Sequence, residues 1–129
     1  MKTLHAAVWI DHKEAKIFHV DPDTFDMAKV KAPHSHLHRH EATTHEHHHP
    51  AEEEHFFQAV AHALDGAEEI LVVGPGQAKL EFMKHVRDRE KALAPKVLGV
   101  ETVDHPTDGQ LVAYVRKYFR AADRMRPPV

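Results

Sequence analysis

Residues 4–31 read LHAAVWIDHKEAKIFHVDPDTFDMAKVK, and this stretch decides the fold. Leu4 to Ile10 is apolar almost throughout, as expected of a central strand covered on both faces. Asp11-His12-Lys13-Glu14 is a polar break, and Ala15 to Val20 returns as a second strand. Asp21-Pro22-Asp23 signals a turn, because proline presets φ and aspartate carboxylates bond back to the local backbone. Phe25 to Lys31 then carries Asp26, Lys29 and Lys31, a charge pattern suited to a sheet edge, where charges deter pairing with other chains. The chain opens as a β-meander.

Downstream, helix and strand alternate. Pro50 followed by Glu52, Glu53 and Glu54 marks a helix start, since proline fits the first turn and acids there meet the positive end of the helix dipole. Phe56, Val60, Ala63 and Leu64 share one face of that helix, expected over about 50–65, and Gly66 is its stop. Ile70 to Val73 is a short buried strand ending at Gly74-Pro75-Gly76. A second helix is expected over about 78–91, with Leu80, Met83 and Val86 inward and Pro95 beyond its end. Val97 to Val103 forms the last strand. Thr107 and Gln110 have capping-box spacing and open a third helix over about 108–122, with Leu111, Val115, Tyr118, Phe119 and Ala122 as its apolar stripe.

Parallel strands need crossover helices, and such crossovers are right-handed. With the most apolar strand at the centre, the expected architecture is α/β: a five-stranded mixed sheet of order 3-2-1-4-5 with three helices, the ribonuclease H-like arrangement. A flavodoxin-like sheet is the competitor, but it does not begin with a meander.

At 129 residues the chain fits one domain, 1–129, with a histidine-rich loop at 31–50. Without cysteine it has neither disulfides nor thiolate metal ligands. The first residues lack the apolar region of a signal peptide and no apolar run spans a bilayer, so a cytoplasmic protein without a membrane partner is expected. A formal net charge of −3 gives no general attraction to nucleic acid, and no DNA partner is expected. Fifteen histidines are the compositional anomaly. The oligomeric state is left open.

Three segments taken together resemble a known family. Ala7 to Val20 (AVWIDHKEAKIFHV), Val72 to Lys79 (VVGPGQAK) and Val103 to Leu111 (VDHPTDGQL) are similar to the hairpin, glycine turn and last-helix entry of the middle domain of archaeal and eukaryotic class I peptide-chain release factors. They are especially similar to short bacterial stand-alone versions described as translational machinery proteins, and bacterial proteins described as required for host attachment are similar too. In release factors the loop between the third strand and the first helix carries Gly-Gly-Gln, which enters the peptidyl-transferase centre. Here that loop is KAPHSHLHRHEATTHEHHHP, Lys31 to Pro50, without the triplet; Gly76-Gln77 and Gly109-Gln110 each lack the first glycine. The resemblance therefore implies a non-enzymatic, translation-related accessory protein whose partner is the ribosome or ribosomal RNA, without peptide release.

The loop is the sharpest local signal. His34, His36, His38 and His40 alternate, which in an extended chain places them on one side, and His45, His47, His48 and His49 follow. Imidazole binds zinc, nickel and copper, so the loop is a candidate zinc or nickel binder, although no cofactor is required. The excess of ligands argues for exchange rather than one closed site. The competing readings are a solvated loop, or a phosphate contact in which protonated histidines join Arg39. On the third helix Arg116, Arg120 and Arg124 recur at four-residue spacing, with Lys117 beside them. These four, with Arg39, are the candidate RNA contacts, against the plainer reading of a solvated helix face. A tight turn accounts for Gly74 and Gly76 without a ligand. Asp11 stands where a ribonuclease H carboxylate would, but the fourth strand offers no second acid and Asp11 reads equally as a turn residue. With Ser35 the only serine, there is no credible serine or cysteine nucleophile.

Overall fold

The computed structural model of the protein describes residues 3–33 and 50–125. In chain order the elements are β1 (Thr3–Ile10), β2 (Glu14–Val20), β3 (Phe25–Lys31), α1 (Pro50–Ala63), β4 (Ala67–Gly74), α2 (Ala78–Arg89), β5 (Val97–Thr102) and α3 (Asp108–Met125). One 3-10 turn, Ala94–Lys96, leads into β5. The strands form one five-stranded sheet in the order β3-β2-β1-β4-β5. β2 runs antiparallel to β1 and β3, whereas β4 runs parallel to β1 and β5. This is the mixed α/β sheet expected from the meander followed by helical crossovers.

The strand period of two divides the core. Ala6, Val8 and Ile10 of β1, with Ile70 and Val72 of β4, face α1 and α2 and meet Val60, Leu64, Phe82 and Val86. Ala7, Trp9, Leu71 and Val73 face the other way and meet Val115 and Phe119 of α3. Trp9 is core, with its indole N–H donating to the Asp104 carbonyl at 2.7 Å.

Asp11 closes the first hairpin. Its Oδ1 accepts the backbone N–H groups of Lys13 (2.8 Å) and Glu14 (2.9 Å), so its carboxylate serves the turn. Gly66 has φ of 92°, the left-handed conformation that ends a helix without steric cost. A Cβ on Gly74 would collide with the carbonyl oxygen of Ile10, so close approach of β1 accounts for that glycine. Gly76 meets no such constraint, and steric need therefore explains only the first of the two glycines.

Three details differ from the sequence expectation. β4 begins at Ala67 rather than Ile70, because Glu69 pairs in register with His5 although its charge disguises it as loop. α1 and α2 end earlier than expected, at Ala63 and Arg89, and α3 runs on to Met125. On α2, Leu80 is 48% exposed while Phe82 is fully buried. The inward face follows Ala78, Phe82 and Val86 at four-residue steps, and Leu80 stands roughly 160° round the helix from Phe82.

Candidate nucleic-acid interface

The basic candidates are placed by α3, which starts with a reciprocal capping box. The Thr107 N–H donates to Gln110 Oε1 at 2.9 Å, and the Gln110 N–H donates to Thr107 Oγ1 at 3.1 Å. Leu111, Val112, Val115 and Phe119 are buried against the sheet and fix the roll of the helix. The flank toward β5 is a tyrosine fastening. The Tyr114 hydroxyl donates to the Glu101 carboxylate, and burial together with this bond pushes the phenol up to about 12. Burial, and then the Glu101 charge, also raises Tyr118, whose hydroxyl occupies the space a Cβ on Gly99 would need. Both rings thus hold the helix to the edge strand.

The opposite flank carries the arginines. Arg116 Nε and Nη2 donate to the Asp21 carbonyl at 3.1 and 2.8 Å, and Nη2 donates to the Thr24 carbonyl at 2.9 Å. The guanidinium therefore ties α3 to the β2–β3 turn. A guanidinium has five N–H groups, and the two on Nη1 take no part in these bonds. Lys117 and Arg120 are exposed. Arg124 lies on the last turn of α3, but its side chain is outside the described residues. So are Arg39 and the eight loop histidines, His34, His36, His38, His40, His45, His47, His48 and His49.

An uncovered part of the sheet adjoins this flank. Phe25 and Met27 of β3 pair with Val20 and Phe18, which belong to the α3-side core, and they are 41% and 38% exposed. Lys29 pairs with Lys16 on the same side. Both ammonium groups are partly compensated, Lys16 by Asp108 at 3.2 Å and Lys29 by Glu14 at 3.8 Å. The resulting surface combines exposed cations with a partly exposed aromatic ring and a thioether. Such surfaces contact phosphates and stack bases.

A second feature, which the sequence reading missed, lies at the carboxyl ends of the strands. A cleft of about 450 Å³ is lined by Asp104, His105, Gln110 and Tyr114, among others. His105 Nδ1 lies 2.8 Å from Asp104 Oδ1, and its ring lies 5.2 Å from Trp9. Open α/β sheets bind ligands at this end. The residues come from the β5–α3 connection and the first turns of α3, and, Gln110 aside, no spacing in the sequence sets them apart.

No protein-family model matches the chain, and no curated protein sequence does. Solved structures do match. The Pelota protein of Thermoplasma acidophilum superposes with a TM-score of 0.61 at 22% identity, covering 89% of this chain and 32% of that one. The archaeal translation termination factor aRF1 gives 0.53 at 15% identity, covering 94% and 38%. Dom34 of S. cerevisiae, a translation termination-like factor involved in RNA quality control pathways and interacting with Hbs1, gives 0.54 at 14%, covering 95% and 39%. The chain thus has the fold of a portion of these factors and spans about a third of their length. No helix among the described residues is long and apolar enough to cross a membrane.

Proposed function

We propose that the protein is a cytoplasmic, translation-associated accessory domain that binds the ribosome or its RNA and catalyses no reaction. The observation that carries this reading is the fold, which matches a portion of several translation factors over nearly the whole chain. Lys117 and Arg120, with the Nη1 group of Arg116, supply phosphate contacts on the exposed flank of α3. The missing Gly-Gly-Gln triplet removes the group with which the resembled family releases peptide. The test has two readouts. The protein is expected to co-sediment with ribosomes at low salt and to detach as salt rises, because phosphate contacts release counterions. Added to ribosomes holding peptidyl-tRNA at a stop codon, it is expected to liberate no peptide above background. Absence of co-sedimentation at low salt would remove the binding role, and measurable release would remove the non-enzymatic one.

A second reading rests on composition. Eight histidines within residues 34–49 suit a metal-binding element for zinc or nickel. Coordination needs neutral imidazole, so zinc affinity is expected to fall between pH 7.8 and 5.8. Ribosome affinity through imidazolium would rise over the same interval. Measuring both for the protein and for a variant with all eight loop histidines changed to serine separates the two. Zinc binding insensitive to the substitutions would eliminate the loop as a metal element.

A further inference from the structure

We infer that His5, Glu69 and Asp123 form a site for a divalent transition-metal ion of the zinc class, separate from the histidine loop. The three residues belong to β1, β4 and α3 and are brought together only by the fold. His5 and Glu69 are register partners on the parallel pair β1–β4, and Asp123 descends from the last turns of α3. One donor atom from each residue lies within 4.8 Å of the others, and His5 Nε2 is 3.3 Å from Glu69 Oε1.

Two independent observations point to a cation. The first concerns His5. Its ring stacks on Phe119 with centroids 4.1 Å apart and planes 9° from parallel, which fixes the direction of Nε2. That nitrogen is out of contact with solvent and makes no hydrogen bond, the carboxylate oxygen beside it lying outside bonding geometry. An aimed, buried ring nitrogen without a hydrogen bond destabilises the fold, and coordination to a metal removes the deficit. The second concerns charge. Two carboxylates converge on this nitrogen near the C-terminal end of α3, where the helix dipole is itself negative. Glu69 and Asp123 have other contacts as well, and a cation held between two close carboxylates lowers their mutual repulsion. Imidazole nitrogen with carboxylate oxygens is a donor set that zinc accepts, and three protein ligands leave a fourth position for water. Asp123 is exposed and gives the ion a route in.

The test begins from the full chain with the eight loop histidines changed to serine, so that the loop cannot mask the site. Calorimetric titration with zinc alone at neutral pH is expected to show one saturable equivalent and a zinc-dependent rise in melting temperature. Glu69→Gln and Asp123→Asn, each nearly isosteric, are expected to weaken zinc binding at least tenfold, and His5→Gln to do the same. His62→Gln, which alters the exposed pair of His62 with Asp65 on the opposite side of the sheet, is expected to leave it unchanged. Circular dichroism of each metal-free variant confirms that the fold persists. Should His5→Gln unfold, the two carboxylate variants decide the matter. No saturable zinc binding would overturn the site. Binding that survives Glu69→Gln and Asp123→Asn together would overturn it equally. Ribosomes take no part, so this result is independent of the translational role.

Discussion

Phe82→Ala is expected to destabilise the protein by about 3–5 kcal/mol, whereas Leu80→Ala is expected to change stability by less than about 0.5 kcal/mol. Phe82 is fully buried, and its ring meets Phe57 edge-on at 5.7 Å, in the layer where α1 and α2 cover the sheet. Removing the ring leaves a cavity that the flanking strands cannot fill, because β1 and β4 are fixed by pairing on both sides. Leu80 points outward and loses little on truncation. Urea denaturation of the two variants measures the difference directly. Equal losses would mean that α2 is rolled about its axis relative to the structure described.

The same pair shows where sequence reading reaches its limit. Strand order was legible because one meander followed by crossover helices leaves few right-handed solutions, and because Leu4 to Ile10 is too apolar to lie at an edge. Helix roll on α2 was legible only in part. Met83 and Val86 are buried as expected. Charged and apolar residues nearly cancel around the axis, however, so the exposed Leu80 made as plausible an inward residue as Phe82. α3 is strongly one-sided, and there Leu111, Val115 and Phe119 were identified as core from spacing alone, with only Val112 missed. The hidden start of β4 has a similar cause: Glu68 and Glu69 look like loop until pairing with β1 is known.

Functional features divide along the same line. The capping box at Thr107 and Gln110 is local, and its two reciprocal bonds are found where the spacing placed them. The cleft by His105 depends on a connection folding back over Trp9. The grouping of His5, Glu69 and Asp123 depends on the register of β1 with β4 and on where α3 ends, neither of which a linear pattern encodes. Even the arginine row, found by its four-residue spacing, divides once the fold is known. Arg116 is committed to the β2–β3 turn, while Arg120 is exposed.

That division sets the second large expectation. The double variant Lys117→Glu, Arg120→Glu is expected to bind ribosomes roughly 100-fold more weakly at low salt, with a salt dependence shallower by about two units of slope. Its stability should stay within about 0.5 kcal/mol of the parent, because neither side chain is buried. Arg116→Ala is the contrasting case. It removes three hydrogen bonds to the Asp21 and Thr24 carbonyls, so it should lower the melting temperature and loosen the β2–β3 turn. Its effect on ribosome binding should be smaller than that of the double variant, since only the Nη1 group is available for phosphate. Co-sedimentation across a salt series, with a thermal melt of each protein, separates the two behaviours. A double variant that binds as well as the parent would move the contact off α3. Phe25 and Met27 on the uncovered face of β3 would then be the surface to alter next, because base stacking survives charge reversal and carries little salt dependence of its own.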